Sequence, residues 1–427
     1  MTQQLRRVAI VGASRIPFAR ANGVYADLTN MDMLSTALQG LVDQCNLHGK
    51  KIDEVVAGAV TTHAKDFNLA REALLSTDLS PLTPGITLQQ ACGTSLQAAM
   101  GIAAKIASGQ IESGIAAGSD TASDAPIVFS RKFAQRLIKL SKAKTLQQKL
   151  AIFKGFSPSE LTPQPPKIAE PRTGLSMGEH CELMAKEWEI TRQEQDELAV
   201  LSHNNTEAAY QRGFFDELLV PCEGVLRDDN LRAGLTVEQL AKLKPVFDRS
   251  SGRGTLTAGN SSALTDGASA VLLCSEEWAK ENGLDVMAYL TYSRHAAVDF
   301  IEGEGLLMGP TVAVAEMLQM ADLSLQDFDF YEIHEAFAAQ VLCTLKSWES
   351  EEYCTERLGL PKALGAIDRS KMNVCGSSLA AGHPFAATGG RVLGTLAKLL
   401  QEKGSGRGLI SVCTAGGMGV AAILEAP

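Results

Sequence analysis

The sequence predicts a layered α/β protein. Short apolar runs of strand length alternate along the 427 residues with runs of helical spacing. Small residues crowd both kinds of run, with 38 glycines and only 5% aromatics, a composition suited to close packing of helices on sheets. The chain also echoes itself: Cys92-Gly93-Thr94-Ser95-Leu96 resembles Cys375-Gly376-Ser377-Ser378-Leu379. Each copy is read as opening a small-residue helix that leads to a short apolar strand, which points to a duplicated α/β half. The length allows two or three domains.

Strands are expected over 8–12, 55–60, 113–118, 270–274 and 409–413, and helices over 31–44, 94–107 and 312–320. The stretch 85–90 reads as extended and leads into the 94–107 helix, and 328–333 reads as a strand. Residues from about 124 to 255 have a different character. The segment 130–154 carries eight Lys and Arg and no acid. Phe133, Leu137 and Leu140 fall at helical spacing there, as do Leu146, Leu150 and Phe153, so two short basic amphipathic helices are expected. Three readings stand for them: a solvated excursion, a membrane-surface or partner-docking element, or a wall that contacts phosphate. A Pro-rich connector, Pro163-Gln164-Pro165-Pro166, follows. Helices are then expected over 176–188 and 191–212, the second opened by the capping box Thr191-Arg192-Gln193-Glu194. The Gly- and Arg-rich stretch 248–257 reads as a loop returning to the first half.

Composition narrows the function. A formal charge of −10 argues against general nucleic-acid binding. Nine scattered cysteines with no CxxC pair lack metal-ligand spacing and fit a reducing compartment. The start, Met1-Thr2-Gln3-Gln4-Leu5-Arg6-Arg7, runs straight into a strand and does not read as a signal peptide, and no apolar run is long enough to span a bilayer. A cytoplasmic enzyme is the expectation.

Four places could carry chemistry. Cys92 sits where an extended stretch meets a helix N-terminus, and unpaired N–H groups with the macrodipole there are expected to favour a thiolate; the alternative is a small core residue. His334, in Ile333-His334-Glu335-Ala336-Phe337-Ala338-Ala339, follows a strand and reads either as a cleft histidine or as a hydrogen-bonded core one. His383, in Gly382-His383-Pro384-Phe385-Ala386-Ala387-Thr388-Gly389-Gly390, sits in a turn that Gly and Pro fix at a helix start. Cys413 ends a strand before Thr414-Ala415-Gly416-Gly417-Met418-Gly419, where a Gly-rich turn exposes a thiol and backbone N–H groups fit for an oxyanion hole. Together they make one machine: a nucleophilic thiol, a base, a second thiol to move a proton and a second imidazole as oxyanion donor.

In order and spacing, Cys92 in CGTSLQA, His334 in HEAFA, His383 in GHPFAATGGR and Cys413 in CTAGGMG resemble the motifs of the thiolases. Arg15-Ile16-Pro17-Phe18 resembles the family's opening loop, and Ala258-Gly259-Asn260 with Asp266-Gly267-Ala268 its AGN…DGA segment. HEAFA in place of the commoner NEAFA, with the basic insert, is similar to the β-subunits of fatty-acid-oxidation trifunctional complexes.

The resemblance implies a thiolase fold, two similar halves in five layers, αβαβα, with an inserted loop domain. The limits drawn are 1–123 for the first half, 124–255 for the insert, 256–285 for completion of the first half and 286–427 for the second. It implies reversible CoA-dependent cleavage of 3-ketoacyl-CoA through an acyl-Cys92 intermediate, with CoA and acyl-CoA as substrates and no cofactor or metal. His383 would take the proton from Cys92, and Cys413 would protonate the leaving enolate and deprotonate incoming CoA. His334 and His383 would bind the thioester oxygen. The N–H of Cys92, with that of Ala415 or its neighbour Gly416, would bind the oxyanion at the acylated sulfur. Ser262 falls where the family contacts the pantetheine arm and Met177 where it lines the acyl pocket. Ser176 stands where some members carry a histidine. Cys375 is an extra thiol read as structural. A homodimer or tetramer is implied, and for the subgroup an α-subunit with hydratase and dehydrogenase activities and peripheral membrane contact through 130–154. Alternatives remain at this point: a Claisen-type condensing enzyme, a biosynthetic acetoacetyl-CoA thiolase, or a non-catalytic scaffold subunit. A nucleotide-binding enzyme, suggested by Val11-Gly12-Ala13-Ser14, lacks the further glycines of that fingerprint.

Overall fold

The computed structural model describes residues 5–427; residues 1–4, on which part of the reading of the N-terminus rests, lie outside the described residues. The first half runs β1 (Val8–Arg15), β2 (Ala19–Arg20), α1 (Asn30–Gln44), β3 (Glu54–Gly58), α2 (Leu69–Leu75), β4 (Gly85–Thr87), α3 (Thr94–Ala107) and β5 (Ser113–Asp120). An excursion follows with α4 (Arg131–Lys142), α5 (Leu146–Ile152), α6 (Met177–Glu187), α7 (Arg192–Gln211) and α8 (Val237–Leu240). The chain returns through β6 (Thr265–Ser275) and α9 (Glu276–Glu281). The second half is β7 (Ala288–Ala297), α10 (Gly309–Ala321), β8 (Phe330–Ile333), α11 (Ala338–Glu349), α12 (Ser378–Ala381), α13 (Thr388–Lys403), β9 (Arg407–Thr414) and β10 (Met418–Glu425).

The strand order β4-β3-β5-β6-β1-β7-β10-β9-β8 displays the duplication directly. On one side β3-β5-β6-β1 reads outside to inside; on the other β7-β10-β9-β8 reads inside to outside, with equivalent strands in mirrored order. The halves join where β1 meets β7, at Ala9 opposite Tyr289 and Ile10 opposite Ala288. The equivalence makes α1 correspond to α10 and α3 to α13.

Three cores give the layers. Leu34, Leu38 and Leu41 of α1 pack with Leu69 and Leu74 of α2 on Val55, Ile115 and Leu272 of the first sheet. Val314, Met317 and Leu318 of α10 pack with Val341 and Leu345 of α11 on Leu409, Ala421 and Ile423 of the second. Between the sheets, Leu96 and Ile102 of α3 meet Leu393 and Leu396 of α13, against Ile10, Val271, Ile410 and Val420. Helix, sheet, helix pair, sheet, helix is the five-layered αβαβα arrangement. Strands covered on both faces have no solvent side to alternate toward, and all eleven residues of β6 are buried.

The central helices touch at backbone distance. A Cβ on Gly389 would lie 2.5 Å from the Leu96 nitrogen. Ser95 Oγ donates to the Ala386 carbonyl at 2.5 Å and accepts from the Gly390 N–H at 2.7 Å, stitching α3 to the start of α13.

One expectation is corrected here. The Cys375 copy of the echo opens only the single turn α12, whereas the true counterpart of α3 is α13, entered through His383–Thr388. Cys375 faces the middle layer and accepts from Arg212 at 3.4 Å. The basic helices α4 and α5 form as the periodicity predicts, and they bury none of their residues. They hold together through Phe129, Phe133, Phe153 and Phe156 and through Arg136 paired with Glu160. Among the described residues no helix is long and apolar enough to cross a membrane.

Candidate active site

The link from β4 to α3 is a tight turn. Gly93 N–H bonds the Gln90 carbonyl at 3.0 Å, and the Thr94 hydroxyl accepts from Gln90 N–H at 2.9 Å and donates to the Ala91 carbonyl at 2.7 Å. Ala91 is left at φ +46°, a left-handed conformation that costs a non-glycine residue about 1–3 kcal/mol. The result is a sharp elbow with Cys92 at its tip, just ahead of α3. The elbow lies on the β9–β10 pair: a Cβ on Gly93 would fall 2.7 Å from Val420 Cγ2 and 3.0 Å from Thr414 Cγ2.

His383 reaches Cys92 from the equivalent place in the other half. Gly382 turns at φ +99°, and His383 N–H bonds Thr265 Oγ1 at 2.7 Å. The imidazole Nδ1 lies 2.6 Å from Thr388 Oγ1, and Nε2 lies 3.1 Å from Cys92 Sγ. With Nδ1–H donating to Thr388, Nε2 is left to accept the thiol proton.

Burial sets the charge state of this pair. It pushes the Cys92 thiol up to about 12, offset in part by the N–H groups of Ala415 and of Cys92 itself, with Asp120 adding to the rise. It pushes His383 down to about 3, with the Arg391 cation contributing. Cys92 retains some accessible surface, yet protein surrounds its sulfur closely enough for desolvation to dominate. The resting state is therefore a neutral thiol beside a neutral imidazole. This corrects the expectation of a thiolate: the N–H groups at the elbow are present, but desolvation outweighs them.

His334 follows β8, its N–H bonded to the Ser411 carbonyl at 2.8 Å. Its ring centroid is 4.2 Å from that of His383, tilted by 45°. Nδ1 lies 2.9 Å from Ser378 Oγ, while Nε2 is buried without a hydrogen-bond partner. Burial, with His383 and Arg391 nearby, holds this imidazole well below its usual range and so neutral. Cys413 lies in β9 opposite Gly419. Burial and the neighbouring Cys92 hold its thiol well above the usual range.

The hairpin after Cys413 divides its N–H groups. The Ala415 N–H acts on the Cys92 thiol and opposes the rise that burial causes. Gly416 gives its N–H to Glu170 Oε1 at 2.7 Å, so of the two N–H groups named for the oxyanion, that of Gly416 is already committed. Ser262 lies beside the HEAFA loop, its N–H on the Ala336 carbonyl at 3.0 Å. Met177 opens α6 and packs on the core that holds Cys413. Among the described residues no hydrogen bond joins Ser262 or Met177 to Cys92, His334, His383 or Cys413.

Sequence reasoning passed over several supports of this cluster. Thr388 and Arg391 fall inside or at the end of GHPFAATGGR but had been given no role. Ser378 fell inside the echo. Glu170 sits in the connector before α6, and nothing in its local sequence sets it apart. Asp120 is buried at the end of β5 and accepts from Val60, Thr61 and Ala386 N–H groups, pinning the loop that carries His383.

A thiol bonded to a neutral imidazole, with a second thiol and imidazole close by, forms the equipment of acyl transfer through cysteine. The chain belongs to the thiolase family: residues 8–277 match the thiolase N-terminal domain and 284–426 the thiolase C-terminal domain. It is 41% identical over 425 residues to the 3-ketoacyl-CoA thiolase of Shewanella sediminis (strain HAW-EB3), covering 98% of this chain and 97% of that one. It is 41% identical over 430 residues to a Vibrio cholerae 3-ketoacyl-CoA thiolase, covering 99% and 98%. Among solved structures, the Bacillus anthracis acetyl-CoA acetyltransferase superposes with a TM-score of 0.82 at 31% identity and 100% coverage of both chains. Human mitochondrial 3-ketoacyl-CoA thiolase does so with a TM-score of 0.81 at 27% identity, covering 99% of each.

Proposed function

We propose that the protein is a 3-ketoacyl-CoA thiolase that cleaves 3-ketoacyl-CoA with CoA to acetyl-CoA and a shortened acyl-CoA in fatty-acid β-oxidation. The observation that carries this reading is the 3.1 Å contact between Cys92 Sγ and His383 Nε2. The full-length similarity to proteins named 3-ketoacyl-CoA thiolase supports it.

Cys92 Sγ attacks the 3-keto carbon as His383 Nε2 takes its proton. The C2–C3 bond then breaks. Its electron pair goes to C2 as the enolate of acetyl-CoA, and Cys413 supplies the proton that quenches it. The shortened acyl group stays on Cys92. CoA enters, gives its thiol proton to Cys413, and attacks the thioester; the pair returns to Cys92, which recovers the proton from His383. His334 and His383 face the thioester oxygen on which the enolate charge gathers. The N–H groups of Cys92 and Ala415 face the oxyanion at the acylated sulfur, each worth about 2.7–4 kcal/mol in comparable sites. Ser262 and Met177 serve the pantetheine arm and the acyl chain. CoA is a substrate, and the cycle calls on no cofactor or metal.

We further take the protein to work in the cytoplasm as a homodimer or tetramer, with an α-subunit carrying hydratase and dehydrogenase activities as partner. The unburied basic helices α4 and α5, with exposed Ile138, Leu146 and Leu150, support contact with a partner or membrane surface. The likeness to an acetyl-CoA acetyltransferase favours the acetoacetyl-CoA reading as the second choice.

The test is CoA-dependent cleavage of 3-ketoacyl-CoAs of increasing chain length, with Cys92→Ser as control. Cleavage of medium or long chains that the variant loses is the expected result. Restriction to acetoacetyl-CoA would transfer the assignment to the biosynthetic enzyme, and no cleavage at any length would overturn it.

A further inference from the structure

We propose that Ser378 and Arg391 are positioning residues that hold His334 as its Nε2–H tautomer, so that the buried ring offers a donor to the thioester oxygen; this rests on the thiolase reading above. The proton positions follow from which groups can only donate. A guanidinium has donors and no acceptor. Arg391 Nη2 lies 2.8 Å from Ser378 Oγ and 3.1 Å from Ser377 Oγ, so both hydroxyl oxygens accept from it. Ser378 then has one proton left to place. Among the described residues the remaining group within hydrogen-bond distance of its Oγ is His334 Nδ1, at 2.9 Å. Nδ1 therefore accepts, and in a neutral imidazole the ring proton sits on Nε2.

The opposite tautomer fails on the same contacts. If Nδ1–H donated to Ser378, that oxygen would receive two donors, its own proton would have no acceptor, and His334 Nε2 would be a bare lone pair. Ser378 and His334 are both fully buried, and an unpaired polar group in such a place is costly. Under the proposed tautomer the unpaired group of the His334 ring is the Nε2–H, in the ring 4.2 Å from the His383 imidazole that holds Cys92. An unpaired donor beside the nucleophile fits a place kept for a developing negative charge. Arg391 is buried in α13, where desolvation lowers it while buried Glu332 and Glu335 act in the opposite direction.

Two measurements test this. Nitrogen-15 NMR of histidine-labelled wild-type protein, with His334 assigned through His334→Asn, reads the tautomer directly. The expected result is a bare-imidazole resonance for Nδ1 and a protonated one for Nε2; a protonated Nδ1 would overturn the proposal. This arm needs no Ser378 variant to fold. Ser378→Ala should lower kcat about 10–100-fold, as removal of an orienting partner does elsewhere, with KM within about twofold. In the His334→Asn background, which restores the residue commoner in the family, Ser378→Ala should cost no further factor. The same loss in both backgrounds would mean a general structural role and overturn the relay. Wild-type protein that shows the Nε2–H tautomer but cleaves no 3-ketoacyl-CoA would support the positioning and remove the thiolase reading instead.

Discussion

The charge state of the Cys92–His383 pair determines how catalysis must begin, and raising the pH is the perturbation that exposes it. Burial puts the thiol at about 12 against an ordinary 9.0. At pH 8 that leaves about one sulfur in 10⁴ as thiolate, where an unperturbed thiol would show about one in ten. His383, held down to about 3, is protonated in only about one molecule in 10⁴ at pH 7. The sign is that of an acid whose charged form is disfavoured: Cys92 stays neutral until the pH rises well above 9. The assay is the far-ultraviolet absorbance of thiolate, taken as wild type minus Cys92→Ser so that the eight other cysteines cancel. No difference should develop between pH 5 and about 9. A neutral pair must also pass its proton during attack, so His383→Asn should slow alkylation of Cys92 by roughly 10²–10⁴, the usual worth of a positioned base. An absorbance step below pH 8, present in wild type and absent from Cys92→Ser, would show a thiolate–imidazolium pair and refute the reasoning.

Two further outcomes follow from packing and linkage. Gly93→Ala places a Cβ 2.7 Å from Val420 Cγ2 and 3.0 Å from Thr414 Cγ2; the overpacking should cost about 1–3 kcal/mol in denaturant unfolding and lower kcat by moving Cys92 off His383, and an unchanged midpoint would show that the hairpin gives way freely. His203 is buried, accepts the Arg232 N–H at 3.2 Å, and is pushed down to about 4 by burial with Arg232 and Arg20 nearby. Below pH 6.5 the unfolded chain takes a proton that the fold refuses, so this histidine makes stability fall as pH drops toward 4. His203→Gln keeps an acceptor and removes the titration, so the stability difference between wild type and variant should move by about 2 kcal/mol in the variant's favour between pH 7 and pH 5. A difference that does not change with pH would refute the assignment.

What the sequence made legible was the part of the fold written in local pattern. The helix expected over 94–107 is α3 to the residue, that expected over 31–44 is α1 with one residue added at its start, and that expected over 312–320 is α10, which runs Gly309–Ala321. The helix α13 was expected only as a start after His383, with no range, because it opens Thr388-Gly389-Gly390, and glycine argues against helix. Those glycines are there because α3 and α13 touch: the requirement is tertiary and outweighs propensity. The strand β7 escaped for a related reason. Its second half, from Thr291 onward, is largely exposed, so it lacks the apolar run that marked its buried neighbours. The echo at Cys375 resembled Cys92 in residues but not in position.

The same division runs through the site. Cys92, His383 and Cys413 were visible because each sits in a run of small residues at a turn, and His334 because it follows a strand. Their protonation states were not visible, because desolvation depends on what the other half of the chain packs around them. Arg391 shows the difference most clearly: as a letter it ends a motif, but in space its charge helps keep His383 neutral and its N–H groups reach the serine that touches His334. A cation this close to two imidazoles makes each a poorer base at rest, which opposes proton removal from Cys92. Catalysis is served only if the negative charge that forms later is worth more than that cost. A dry site supplies the condition: once charge develops on the substrate oxygen, the nearby N–H donors and the buried guanidinium act on it with little solvent screening. Resting neutrality and transition-state stabilisation therefore come from the same burial. A variant that admits water should raise the resting reactivity of Cys92 toward small alkylating agents while lowering turnover.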